Sequence, residues 1–121
     1  MKARVNNVGG VILLPDDWNS DTYSLNGTNN RSASYNSNIL TISQWSVLEQ
    51  AGAVFLPTTG HRYNGTSTAL VNTYGRYWSA SLSSHDLYDI HILDFYGSGL
   101  DPQSYCYRYF GLSVRLVRNV E

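Results

Sequence analysis

The sequence predicts a small α+β domain in which short strands and one or two helices carry long ordered polar loops. Three features support this prediction: one capped helix, several short apolar segments, and long intervening stretches rich in Asn, Ser, Gly, Thr and Tyr. With 121 residues, the chain is long enough to bury one hydrophobic core. We therefore expect a single domain over residues 1–121.

The clearest helix signal lies in the middle of the chain. Thr41 is followed three residues later by Gln44, which is the spacing of a capping box. Apolar residues behind this cap recur every third position along one helical face: Ile42, Trp45, Leu48 and Ala51. Gly52 follows at the position where a helix C-terminus favours Gly. A short helix that docks Trp45 into the core is expected here.

Five short segments have the composition of strands. They are Val11–Leu14, Val54–Leu56, Tyr77–Ser79, Ile90–Phe95 and Leu112–Val117. We expect the first and the last of them to pair and so close the domain. The intervening segments Ser81–Asp89 and Tyr96–Gly111 read as loops too long for tight hairpins, and long ordered loops on a compact frame are often functional.

Composition favours recognition over nucleic-acid binding or membrane insertion. The net charge is −1, charged residues make up 14% and aromatic residues 13%. Tyr supplies rigid amphipathic area and Ser, Gly and Asn supply adaptable hydrogen bonds, as in antibody recognition loops. No apolar stretch reaches the roughly 20 residues of a membrane-spanning helix. We expect neither a nucleic-acid partner nor direct membrane insertion.

Motifs of common enzymes are missing from the sequence. Gly97-Ser98-Gly99 lacks the Gly-x-Ser-x-Gly spacing of a nucleophile elbow, and no phosphate-binding loop ends in Lys-Ser or Lys-Thr. Cys106 lies among tyrosines with no His nearby in sequence, and as the single cysteine it cannot form an internal disulfide. We predict a protein that is not an enzyme and needs no cofactor.

One cluster has the residue types of a metal site. It comprises His85, Asp86, Asp89, His91 and Asp94. Asp89 and His91 would project from the same face of a strand, two steps apart. The spacing matches no known ligand signature, so solvated loop and strand-face residues are the expected state and no metal is predicted.

Four phrases resemble a known family. They are LPDDW at 14–18, QWSVLEQAGAVFLP at 44–57, GRYWS at 75–79 and GLSVRLV at 111–117. Together they resemble the Fibrobacter-type major paralogous domain, which occurs in surface proteins of gut Bacteroides-like bacteria. The resemblance spans about Val11 to Arg118, and GAVFLP and SVRLV are its most specific parts. It implies that this domain is the C-terminal part of a longer surface protein.

That family is similar to the variable proteins of diversity-generating retroelements, which have a C-type-lectin-like fold. In those proteins a C-terminal segment, here residues 79–111, is rewritten at template adenines. Codons of the AAY type then become Tyr, Ser, Asp, His or Cys among others, but never Lys, Glu, Gln, Met or Trp. The segment Ser79–Gly111 contains no Asn and a single residue of the excluded set, Gln103.

The resemblance implies a hypervariable ligand-binding display domain on a bacterial cell surface or a phage particle. Its partner would be a protein or surface ligand on another cell or phage, and any export signal or lipid anchor would lie outside this chain. The alternative is an undiversified adhesin or fimbria-associated module with a fixed partner. The calcium-binding signatures of sugar-binding C-type lectins are missing, so calcium-dependent sugar binding is not expected.

Under either alternative the residues divide into a fixed frame and a binding face. The expected frame residues are Trp18, Trp45, Phe55, Trp78, Leu112 and Val114. The expected ligand-binding residues are His85, Asp86, Tyr88, Asp89, His91, Asp94, Tyr96, Ser104, Tyr105, Cys106, Tyr107, Tyr109 and Phe110. Tyrosines in this set would act as aromatic anchors that lose little entropy on binding.

Overall fold

The structure is a computed structural model that describes residues 1–27, 31–63, 65, 67–82, 84 and 87–116. The strands in chain order are β1 Lys2–Val5, β2 Val8–Leu13, β3 Ile39–Leu40, β4 Val54–Pro57, β5 His61–Tyr63, β6 Ser67–Ala69, β7 Gly75–Leu82, β8 Asp89–Tyr96 and β9 Gly99–Tyr107. Helix α1 covers Ile42–Gln50, and a 3₁₀ helix covers Tyr35–Ser37. The described residues are thus mostly β-sheet with one α-helix, which confirms the coarse prediction of an α+β domain.

The first sheet has the strand order β3-β1-β2-β4. Strands β1 and β2 form a hairpin around Asn6 and Asn7, whose φ angles are 46° and 67°. A two-residue hairpin turn of this kind needs positive φ at both central positions, and Asn tolerates that conformation better than most residues. Strand β3 joins β1 in parallel, and β4 joins β2 antiparallel.

Strand β2 is covered on both faces. Ile12 packs in a cluster with Trp45 and Leu48 of α1, whereas its neighbour Val11 packs in a second cluster with Tyr77 and Phe95. Successive residues of a strand point to opposite faces, so both faces of β2 must be apolar. This explains why the segment is a continuous apolar run and not an alternating one.

Helix α1 begins as the sequence predicted. The Thr41 side chain accepts a hydrogen bond from the Gln44 N–H at 3.2 Å, and the Thr41 N–H donates to the Gln44 side chain at 2.8 Å. Trp45 and Leu48 are buried, and Gly52 has a φ of 95°. The capped helix and its Gly are therefore confirmed. The buried face is narrower than predicted, because the outer members of the apolar set, Ile42 and Ala51, are exposed.

The second sheet is the antiparallel meander β7-β8-β9. Strands β8 and β9 are joined directly through Gly97 and Ser98, with Tyr96 opposite Gly99. The prediction of a long loop over Tyr96–Gly111 was therefore wrong. The Gly-Ser-Gly sequence is a compact hairpin connection, and the polar and aromatic residues behind it form a strand.

The predicted pairing of Val11–Leu14 with Leu112–Val117 was also wrong. Strand β2 has β1 on one edge and β4 on the other, so neither edge is left for the C-terminal segment. The described part of that segment is not a strand but follows the edge of β7. There the Ser113 N–H donates to the Arg76 carbonyl and the Trp78 N–H donates to the Ser113 carbonyl, both at 3.1 Å.

Most of the expected frame residues do pack inward. Trp45 is buried, and Trp18 and Phe55 are partly buried against the cluster around it. Trp78 and Leu112 are half-buried. Val114 is the exception, since it is 64% exposed, and assigning it to the core was wrong. Among the described residues after Ser113 no strand pair holds the chain, so Val114 is not directed toward the interior.

Two buried groups hold the second sheet on the first. The Tyr77 hydroxyl donates to the Pro57 carbonyl at 2.8 Å. The Lys2 ammonium is buried and donates to the Arg31 carbonyl at 2.9 Å and to the Gly97 carbonyl at 3.2 Å. The turn of the β8–β9 hairpin is thus tied to β1. No helix among the described residues is long and apolar enough to cross a membrane.

The contact between Gly75 and Phe95 yields a stability prediction. A Cβ at Gly75 would overlap the fully buried Phe95 ring, so Gly75→Ala should cost about 1–3 kcal/mol as overpacking. The control is Gly97→Ala, where an added Cβ meets nothing within 4 Å and the change should stay within about 0.5 kcal/mol. Urea unfolding of both variants measures this, and equal losses would contradict the packing described.

Candidate ligand-binding site

Strand β9 alternates between exposed tyrosines and half-buried small residues. Tyr105 is 56% and Tyr107 49% exposed, whereas Ser104 and Cys106 are half-buried. The two-residue period of a strand places both tyrosines on one face. The run of consecutive Tyr, Cys and Tyr is therefore split between an outward and an inward face.

The turn after β9 adds two more rings. The Phe110 N–H donates to the Tyr107 carbonyl at 3.1 Å, which folds the chain back on itself. Ring centroids lie 5.3 Å apart for Tyr107 and Tyr109, and 5.2 Å apart for Tyr109 and Phe110. These separations are those of favourable aromatic pairs, so the rings support one another while Tyr109 stays 59% exposed.

The β5–β6 hairpin extends this group. Arg62 and Gly111 exchange two backbone hydrogen bonds of 2.7 and 3.0 Å, which place β5 beside the turn. The Phe110 ring then lies 5.1 Å from that of Tyr63 and 5.6 Å from that of His61. We call the resulting group the aromatic surface. It consists of His61, Tyr63, Tyr105, Tyr107, Tyr109 and Phe110.

Sequence reasoning did not find His61 and Tyr63. The Asn64-Gly65 pair after them is a hairpin signal, and it marks the place of the β5–β6 hairpin. Nothing local in the sequence shows that this hairpin lies against Phe110, because the contact joins segments almost fifty residues apart. A pairing of Arg62 with Gly111 is visible only in three dimensions.

Three other predicted residues border the aromatic surface. Tyr88 is exposed, and its carbonyl accepts the Arg108 N–H at 3.0 Å. His91 lies opposite Tyr105 and is half-buried, with its Nδ1 3.3 Å from the Ser104 carbonyl oxygen. Asp89 lies opposite Tyr107 and is only 6% exposed, so it is a buried carboxylate beneath an exposed tyrosine.

Asp94 and Tyr96 do not belong to the same group. Asp94 forms a 3.2 Å ion pair with Arg76, and the Tyr96 ring stacks on that of Tyr74 at 4.8 Å. At about 3.3 Å per residue, Asp94 lies roughly 16 Å along β8 from Asp89, and Tyr96 lies farther still. The predicted site is therefore divided between two places on the second sheet. His85 and Asp86 lie outside the described residues.

Three ionisable groups in or beside the aromatic surface, Cys106, Tyr109 and His61, have shifted pKa values. Burial raises the pKa of the Cys106 thiol. Partial desolvation, followed by the nearby phenols of Tyr63 and Tyr107, raises the pKa of Tyr109. Burial and then the Arg76 charge lower the pKa of His61. All three shifts favour the neutral form, and at neutral pH Cys106 lacks the thiolate that a nucleophile needs.

Within the described residues, no three His, Cys, Asp or Glu side chains converge as a metal site would require. Comparisons with protein-family models, curated proteins and solved structures found no match.

Replacement of the exposed rings should leave the fold intact. The double variant Tyr107→Ser, Tyr109→Ser loses the contact between these rings and their contacts with Phe110, all at the exposed surface, and should cost much less than a core truncation. Trp45→Ala empties a core position and should cost about 3–5 kcal/mol. Guanidinium unfolding compares the two. If both variants lost the same free energy of unfolding, the division into frame residues and an exposed binding face would be wrong.

The His61 environment predicts a pH dependence of stability. Because its pKa is lowered on folding, the unfolded chain takes up a proton more readily below its ordinary value of about 6.5. Unfolding free energy should therefore fall as the pH drops from about 6.5 toward the lower folded-state pKa. Arg76 opposes protonation here and Asp94 favours it, with burial as the larger cause.

Comparison of the wild type with His61→Gln at pH 7.5 and 5.0 isolates this contribution, since other titrating groups are common to both. The variant should lose less stability on acidification. If both proteins lose the same amount, the buried imidazole does not contribute.

Proposed function

We propose that this protein is a non-enzymatic ligand-binding display domain whose binding face is the aromatic surface, and that it is a hypervariable receptor diversified by a retroelement. The observation that carries the proposal is the presentation of Tyr105, Tyr107 and Tyr109 to solvent from a strand and turn held on a packed sheet. Exposed aromatic rings in one contiguous group are unusual unless they meet a partner.

The physical properties of these side chains suit recognition. A tyrosine has two side-chain torsions and a large amphipathic surface, so it gains contact area with a small loss of entropy. The contact of Tyr109 with Phe110 and the contact between Tyr107 and Tyr109 further restrict these side chains in the unbound protein. Restriction before binding lowers the entropy lost on association.

The separation of core and surface supports diversification. The largest fully buried side chains are Val11, Ile12, Leu48, Ile92 and Phe95, and none of them belongs to the aromatic surface. Replacement of Tyr105, Tyr107 or Tyr109 therefore leaves the main core contacts in place. Sequence diversification is tolerable only at positions of this kind.

A C-type-lectin-like fold remains part of the proposal. The expected pairing of the first and last strands does not occur, but Leu13 and residues Val114, Arg115 and Leu116 line the same groove. The C-terminal end of β2 is thus close in space to residues 114–116, and the proposed binding face is carried by a three-stranded meander. The proposed location is a bacterial cell surface or a phage particle, with a protein or surface ligand on another cell or phage as partner.

One observation favours the alternative of an undiversified adhesin or fimbria-associated module. His61 and Tyr63 belong to the aromatic surface although they lie outside residues 79–111. A fixed partner would explain aromatic residues from both regions. Downstream DNA discriminates between the two: a near-copy of the codons for 79–117 with AAY codons, next to a reverse-transcriptase gene, supports diversification.

Binding capacity is testable by selection from two surface-display libraries of equal size. The first varies Tyr88, Tyr105, Tyr107, Tyr109 and Phe110 among AAY-reachable residues. The second varies five exposed residues of α1 in the same way: Ile42, Ser43, Val47, Glu49 and Gln50.

Selection against lysozyme, an unrelated globular protein, should yield binders from the first library and few or none from the second. Both libraries should reach similar display levels, because neither changes the core. An equal yield of binders from the two libraries, or none from the first, would overturn the assignment of the binding face.

A further inference from the structure

A small cavity of about 210 Å³ opens beside the aromatic surface. Its lining residues are Asp89, Tyr105, Cys106, Tyr107 and Phe110. Tyr105 and Tyr107 are about half exposed, whereas Asp89 is buried. Drug-sized molecules occupy pockets of roughly 300–1,000 Å³. The cavity therefore suits one side chain of a larger partner better than a complete small molecule.

One oxygen of the Asp89 carboxylate lacks the partner that its burial demands. Its Oδ1 is inaccessible to solvent and has no hydrogen-bond partner among the described residues. A buried charged group without compensation costs free energy, so such groups are normally paired. Rotation about the last side-chain bond of Asp is soft, and either carboxylate oxygen can turn toward the cavity.

Neighbouring cations do not supply this partner. The ion pair found among the described residues joins Arg76 to Asp94, and the exposed Arg108 beside Tyr107 forms no ion pair with Asp89. Lys2 is the only lysine of the chain, and its ammonium is bound to the carbonyls of Arg31 and Gly97. Among the described residues, Asp89 is therefore left without a cationic partner.

The cavity walls match the same chemistry. Aromatic faces attract cations through the ring quadrupole, and this attraction adds to an ion pair when water is excluded. Tyr105, Tyr107 and Phe110 supply rings at the wall. Burial raises the pKa of the Cys106 thiol, and the Arg76 charge lowers it by less. The thiol is therefore neutral at pH 7 and adds no charge to the cavity.

We propose that this cavity, the Asp89 pocket, receives a cationic side chain, lysine or arginine, that projects from a protein ligand. The inference rests on the proposed function, since it names the part of the ligand that the aromatic surface recognises. The cation would pair with the Asp89 carboxylate. Its hydrocarbon stem would lie between the rings of Tyr105, Tyr107 and Phe110.

Amide-shift NMR titration of the whole chain with three blocked amino acids tests the pocket. The probes are N-acetyl-lysine methylamide, N-acetyl-arginine methylamide and N-acetyl-norleucine methylamide, which carries an apolar chain without charge. At least one cationic probe should produce saturable shifts at Asp89, Cys106, Tyr107 and Phe110. Absence of such shifts at high millimolar concentration, or equal shifts with norleucine, would overturn the proposal.

Two variants assign the effect to the carboxylate. Asp89→Asn keeps the shape of the side chain but removes its charge, and should weaken cationic-probe binding at least tenfold. Asp101→Asn is the matched control on β9: its Oδ1 accepts the Gln103 N–H at 3.0 Å, a bond that Asn retains, and binding should not change. Unchanged binding in Asp89→Asn, or equal weakening in both variants, would overturn the proposal.

Thermal unfolding gives an independent readout. Neutralisation of an unpaired buried carboxylate should leave the melting temperature of Asp89→Asn unchanged or higher. A clear decrease would show that the fold itself uses the charge, and would overturn the proposal.

The display selection distinguishes failure of the proposed binding face from failure of the Asp89 pocket. If the selection succeeds while cationic probes fail, the binding face stands without its cation pocket, whereas the reverse outcome leaves the pocket without the display function.

Discussion

The packing of Phe95 against the bare backbone of Gly75 is the constraint on which the second sheet depends. Phe95 is fully buried, and no side chain larger than that of Gly fits opposite its ring. Together with Tyr77, Phe95 packs on Val11 and Leu56 of the first sheet. Because that end of β8 is fixed, the direction of the whole meander is fixed. The same strand then carries Asp89, at its other end, beyond the shared core.

The proposed function depends on a change of environment along one sheet. Near Phe95 the strands pack against the first sheet. Toward Asp89 and Tyr107 the outward positions of the sheet, such as Tyr105 and Tyr107, face solvent. The arrangement separates packed positions from exposed ones within a single structural element. It also brings one buried carboxylate close to a group of exposed rings.

Local signals in the sequence predicted the local features well. The Thr41 and Gln44 capping box, the Gly52 helix end and the cores of β4, β7 and β8 all follow from short-range patterns. Strand β1 was not predicted, because Lys2 and Arg4 make half of its four residues charged. Its presence occupies an edge of β2, and this is why the predicted partner of Val11–Leu14 was wrong. Which strand pairs with the edge of another is a property of the whole sheet, and it cannot be predicted from the sequence of a single segment. For the same reason the sequence did not predict the contact of Tyr63 with Phe110 or the burial of Asp89.

The tie between Lys2 and Gly97 has a consequence for how the domain is assembled. Lys2 and Gly97 are separated by 95 positions in a chain of 121 residues. During synthesis the Lys2 ammonium can reach the Gly97 carbonyl only after the β8–β9 turn has left the ribosome, although the β1–β2 hairpin is synthesised much earlier. Contacts of such long sequence separation slow folding, because loop closure must precede their gain. The strand that displays the tyrosines is therefore synthesised after all the strands of the first sheet to which its turn is tied.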